Sequence, residues 1–267
     1  MYKKAVSLFS VLVVLIGMVG CATAQARGPA SAVKNIVIVH GAFADGSGWE
    51  GVYHKLKEDK YNVTIVQIPT SSLAADVTAT QNVLAAQNGP VVLVGHSYGG
   101  VVITQAGNDS KVKSLVYVAA YVPDAGESVG DLLAKADKSV PAPHIMPYSF
   151  GADGKPATLI VNRDNFPEEF AADVDLTKAQ FMADSEIPIG AQVLSDKVTK
   201  AAWKIKPSYY IVSKQDRMIP PNDERMFATK AKAVRVKELD ASHAVFMSTS
   251  ENENEVVTMI EEAALSQ

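Results

Sequence analysis

The chain has 267 residues, 48% hydrophobic and 20% charged, which excludes a wholly disordered protein and leaves room for one large core. Its 25 Lys and Arg against 29 Asp and Glu give a formal net charge of -4 with no basic run, so a nucleic-acid partner is not expected. Cys21 is the single cysteine, which excludes an intramolecular disulfide.

In chain order, Tyr2-Lys3-Lys4 is a short basic start and Ala5 to Val19 is almost wholly apolar. That run is shorter than the about 20 residues a membrane span needs. Residues 1–26 therefore read as an export signal. Two processing routes stay open. Met18-Val19-Gly20-Cys21 resembles a lipobox, in which Cys21 is lipidated, while Ala22-Thr23-Ala24 and Ala24-Gln25-Ala26 offer small-x-small cleavage sites. A lone cysteine directly after the apolar run favours the lipoprotein. The expectation is an exported protein, either periplasmic, an outer-membrane lipoprotein attached through Cys21, or secreted.

After a Gly/Pro/Ala/Ser linker over 27–32, the chain alternates strand and helix. Strands are predicted at 35–39, 61–68, 91–94 and 112–120, and helices at 50–59, 74–87 and 101–107. The strands are short, β-branched and continuous rather than alternating, which predicts burial on both faces. The fold class is thus α/β, a mostly parallel sheet flanked by helices. Between about 124 and 206 the alternation breaks into mixed helical stretches, such as 176–185, and turn signals, such as Gly151-Ala-Asp-Gly154. An insertion of this size in such a fold is expected to be a lid or cap. Strand 208–212, helix 222–231, strand 233–239 and helix 251–265 complete a domain over 33–267.

Gly95-His96-Ser97-Tyr98-Gly99-Gly100 follows an apolar strand and opens a helix. A G-x-S-x-G elbow in that context exposes its serine on a sharp turn, with small residues two places either side. The helix start behind Ser97 supplies amide dipoles for a developing negative charge. Serine needs a base. Of five histidines, His40 and His96 sit in other motif positions, His54 lies in a helix as a surface residue, and His144 lies in the insertion. His243 lies between the last strand and the last helix, where a loop reaches the carboxyl ends of the strands. The carboxylate that orients it is expected to be Asp216, after the penultimate strand, with Asp124 and Asp240 as rivals. Tyr98 would supply one oxyanion-hole amide, and Ala42, after the first strand, the other. Phe43 and Tyr98 are candidate substrate-binding residues. Phe150, Phe166, Phe170, Phe181, Met146 and Met182 are candidates for an apolar lining, most of them serving as core.

His40-Gly41-Ala42-Phe43, the elbow, Asp216 and Ser242-His243 together resemble the α/β-hydrolase superfamily, in the branch holding plant methyl esterases, hydroxynitrile lyases and many bacterial esterases. The order Ser97, Asp216, His243 matches that of the superfamily. The resemblance implies a Ser-His-Asp triad, no cofactor or metal, and a small-molecule ester as substrate, cleaved through an acyl-enzyme on Ser97. The lyases of this branch carry lysine after the catalytic histidine and usually threonine after the first-strand histidine. Here those places hold Ala244 and Gly41, which favours the esterase. A lyase or cofactor-free oxygenase, a hydrolase-like ligand-binding protein, and an amidase or lactonase are the alternatives. Neither the physiological substrate nor the oligomeric state is legible.

Overall fold

The computed structural model describes Met1 and residues 33–265; the expected export signal and Cys21 lie outside the described residues. In chain order the elements are β1 (Asn35–Val39), α1 (Glu50–Glu58), β2 (Asn62–Val66), α2 (Leu73–Ala86), β3 (Val91–Ser97), α3 (Gly99–Ala106) and β4 (Val112–Ala120). The insertion then holds α4 (Val129–Leu133), β5 (Ile145–Phe150), β6 (Pro156–Val161), α5 (Phe166–Phe170), α6 (Leu176–Asp184) and β7 (Ile189–Gly190). The chain ends with β8 (Ser208–Ser213), α7 (Pro221–Lys230), β9 (Arg235–Leu239) and α8 (Ser250–Leu265).

The main sheet has the order β2-β1-β3-β4-β8-β9, and every neighbouring pair is parallel. Parallel strands need crossovers, and the helices that make them cover both faces. Helices α3 and α8 both lie against β3 and β4 but pack with different helices, α2 and α1 respectively, and so cover opposite faces. The run Ile36-Val-Ile-Val39 and the apolar stretches of β3, β4 and β8 are buried throughout, as expected. The edge strands depart from that expectation. Strand β2 is mostly half-exposed, and β9 shows Arg235, Val236 and Glu238 to solvent. An edge strand has one neighbour and incomplete helical cover, and its charges discourage further pairing.

The insertion contains strands that the sequence pattern did not reveal. Strands β5, β6 and β7 form a three-stranded antiparallel sheet, and the 151–154 turn signal closes its first hairpin. Pro147 and a register irregularity blur the alternation of β5. The insertion is tied to the main body at several points. Gly190 N donates to Thr70 O (2.8 Å) and the Trp203 indole to Pro123 O (2.9 Å). Asp196 Oδ2 accepts from Leu73 N (2.9 Å) at the start of α2. Among the described residues no helix is long and apolar enough to cross a membrane.

Candidate active site

The elbow begins inside β3, which runs three residues past its predicted end, so Ser97 leaves the sheet directly. Its φ of 51° is left-handed, a strained conformation for serine. Two glycines make the bend feasible. A Cβ on Gly95 would stand 2.6 Å from Gly99 O, and one on Gly99 would stand 2.6 Å from Val39 O. The backbones of β1 and α3 therefore approach as closely as atoms allow. Ser97 is 7% exposed and lines a cavity of about 50 Å³.

The first-strand loop is pressed against this bend. A Cβ on Gly41 would lie 2.8 Å from both Ser97 Cβ and His96 Nδ1. His40 fixes the orientation of that loop. Its Nε2 accepts from Ile68 N (3.1 Å), which leaves Nδ1–H to donate to Gly41 O (2.8 Å). Burial holds the His40 pKa below its ordinary value, favouring this neutral form. The Gly41 carbonyl and the Ala42 N–H belong to one trans peptide, so anchoring the first aims the second the opposite way. Ala42 lines the Ser97 cavity together with Phe43 and Tyr98.

Asp216 and His243 come together and are both fully buried, with Asp216 Oδ2 2.5 Å from His243 Nδ1. Asp216 Oδ1 accepts from Met218 N (2.7 Å) and Ile219 N (2.8 Å), so its second oxygen is free to take Nδ1–H. That tautomer leaves Nε2 with a lone pair. Nε2 is buried and has no hydrogen-bond partner among the described residues, so its bond to Ser97 is not made. The elbow and the His243 loop are nevertheless joined. His96, next to Ser97, sends Nε2–H to His243 O (3.0 Å), and the two rings lie 4.5 Å apart. Burial, reinforced by the His243 ring, pushes the His96 pKa well below normal and keeps it a neutral donor. The insertion holds the same loop from the other side. Ala244 N donates to Phe170 O (3.0 Å), and the Phe170 ring meets His243 edge-on at 4.8 Å.

The rival carboxylates lie elsewhere. Asp124 pairs with Lys204 at 2.5 Å, and Asp240 accepts from Gln215 (2.8 Å). His54 is on the surface beside Glu50, and His144 pairs with Glu169. Two buried acids, Glu224 and Asp76, carry no sequence motif. Glu224 is fully buried, its Oε2 accepts from Ser213 N (3.1 Å), and burial, then the neighbouring Asp216, push its pKa well above the ordinary carboxylate value. Tyr98 OH donates to the buried Asp76 (2.8 Å), whose other oxygen accepts from Thr70 N (2.7 Å). Burial pushes Asp76 up to about 6. One sequence signal could have found Asp76, because it shares the buried helical face of Leu73, Val77, Thr80 and Leu84.

The apolar lining differs from the expected set. Phe166 and Phe170 are buried core, stacked at 4.7 Å, while Met146 and Phe150 are exposed. The insertion lines the cavity instead with residues such as Ile145, Leu159, Ile189, Val193 and Leu194. Phe181 and Met182 line a neighbouring groove.

Known proteins share this architecture. The chain is 28% identical to "Alpha/beta hydrolase nvfD" of Aspergillus novofumigatus, over 86% of this chain and 96% of that one. It is 23% identical to "Putative methylesterase 19" of Arabidopsis thaliana, over 80% and 92% of the two chains. Among solved structures, polyneuridine aldehyde esterase superposes with a TM-score of 0.75 at 19% identity, covering 86% of this chain and 98% of its own. The model of the alpha/beta hydrolase family matches residues 36–257, and the chain belongs to that family.

Proposed function

We propose that this protein hydrolyses a small carboxylic ester through an acyl-enzyme on Ser97. The observation that carries the reading is the buried Asp216–His243 pair, tied through His96 to the strained turn that presents Ser97. Ser97 attacks the ester carbonyl while His243 Nε2 takes its proton. The amides of Ala42 and Tyr98 hold the oxyanion. His243 gives the proton to the leaving alcohol, and a water deprotonated by His243 then frees the acid. Asp216 keeps the base in the required tautomer and stabilises the imidazolium. The esterase names among the relatives, including the "Carbendazim hydrolyzing esterase" of Nocardioides (34% identical over 39% of this chain), support an ester over other acyl substrates. Ala244 is buried where a lyase would carry its lysine, which supports hydrolysis over carbon–carbon cleavage.

A fluorophosphonate probe followed by peptide mapping tests the proposal. The expected adduct lies on Ser97 and disappears in His243→Ala. An adduct elsewhere, or labelling that ignores His243, removes it. We propose further that residues 1–26 direct export and that Cys21 carries the lipid. A mass measurement on the mature protein checks this, because an unmodified Cys21 or a start beyond it sinks the lipoprotein reading.

A further inference from the structure

The inner cavity at Ser97 and a second groove of about 240 Å³ on the protein surface share one lining residue, Phe43. Phe43 is 6% exposed and sits at φ 64°, a left-handed strain that a phenylalanine adopts only when its surroundings impose it. The groove runs between the first-strand loop and α6. Lys178, Phe181, Met182 and Ser185, at helical spacing i, i+3, i+4 and i+7, form its outer wall. Phe246 and Met247, just after the base, form its floor. Phe181 is 67% exposed, so a large ring beside Met182 is left uncovered by the described residues.

The two hollows differ in size and in their relation to the chemistry. The inner cavity of about 50 Å³ holds only a few water-sized spheres, at about 10–15 Å³ each. It contains no residue of the base loop. The groove is several times larger and includes that loop's continuation. When the carbonyl–oxygen bond breaks, the departing oxygen must collect its proton from His243, so the alcohol arm leaves on the side of the base.

Resting on the ester-hydrolase reading above, we infer that the groove binds the alcohol arm of the substrate, that this arm is extended and apolar, and that the inner cavity takes a short apolar acyl group. Phe43, the wall the two hollows share, would lie beside the ester, with one arm in each hollow. Lys178, Asp45 and Glu50 at the rim leave the floor free of charge.

The experiment compares kcat/KM of the full protein on methyl acetate, octyl acetate and methyl octanoate. Octyl acetate is expected to exceed methyl acetate about tenfold, the gain from burying a few methylenes, and methyl octanoate to be the poorest. Met182→Trp, which fills the groove, is expected to lower octyl acetate about tenfold more than methyl acetate. Phe181→Asp, at an exposed position that tolerates change, is expected to act in the same direction. A preference for methyl octanoate over octyl acetate overturns the inference, as does an equal effect of both variants on the two acetates. Those outcomes leave the hydrolase reading standing, whereas no turnover of any of the three esters defeats both.

Discussion

Across the cavity, the strand ends and the insertion face the same space with different materials. The main body supplies Ala42, Ser97 and Tyr98, positioned by buried bonds such as His40 to Gly41 and Tyr98 to Asp76. The insertion supplies Ile145, Leu159, Ile189, Val193 and Leu194, with no charged side chain. The sheet side can thus hold charge at fixed points, and the insertion side can only exclude water and set shape. The division is not complete, because Phe170 of the insertion also steadies the His243 loop.

Several substitutions would break or sharpen that contrast. The largest effects belong to the sheet side. Ser97→Ala, His243→Ala or Asp216→Asn is expected to lower kcat about 10⁴-fold or more with little change in KM, as steady-state kinetics on an acetate ester would show. An insertion variant of equal effect would dissolve the contrast.

Each side also buries an acid that burial shifts into the working pH range, and pH separates their contributions. Burial raises Asp76 to about 6 and Glu186, in the insertion, to about 7. Both bind protons more readily folded than unfolded, so each lowers stability as pH rises from its unfolded value near ~4 through its folded value. Asp76→Asn is expected to remove a loss of up to about 3 kcal/mol between pH 4 and 6, and Glu186→Gln a similar loss extending to pH 7. Urea unfolding at pH 4.5 and 7.5 measures both. A parallel pH dependence in mutant and wild type would refute the assignment.

His40→Ala frees the Gly41 carbonyl and is expected to reduce kcat about 10²-fold, more than it alters KM. A change confined to KM would mean that the Ala42 amide does not depend on His40. The smallest effect is expected from Asp196→Ala, which removes the insertion's cap on α2 and should cost about 1 kcal/mol in a denaturant melt. A loss several times larger would show that the insertion's docking depends chiefly on this one carboxylate.

The legible parts were those written in short stretches of chain. Val91-Val-Leu-Val followed by Gly95-x-Ser97-x-Gly99 announces a buried strand, a bend and a helix within ten residues. The residues Asp216 and His243 were readable because each follows a strand at a place where this fold exposes loops. Strand β5 was not, since Pro147 and the exposed Met146, Tyr148 and Phe150 obscure its period. Asp76 was passed over because nothing near it in sequence marks its partner Tyr98, 22 positions away.

By itself, then, the sequence determined the alternation of buried strands and helices and the strained turn at Ser97, because steric limits on glycine-flanked bends and the burial of β-branched runs act locally. Only the tertiary structure decided which nitrogen of each histidine is engaged, which acids burial pushes above their ordinary pKa, and which insertion residues face the cavity. Those outcomes depend on desolvation and on partners as far apart as His96 and His243, separated by 147 positions, whose approach no local pattern encodes.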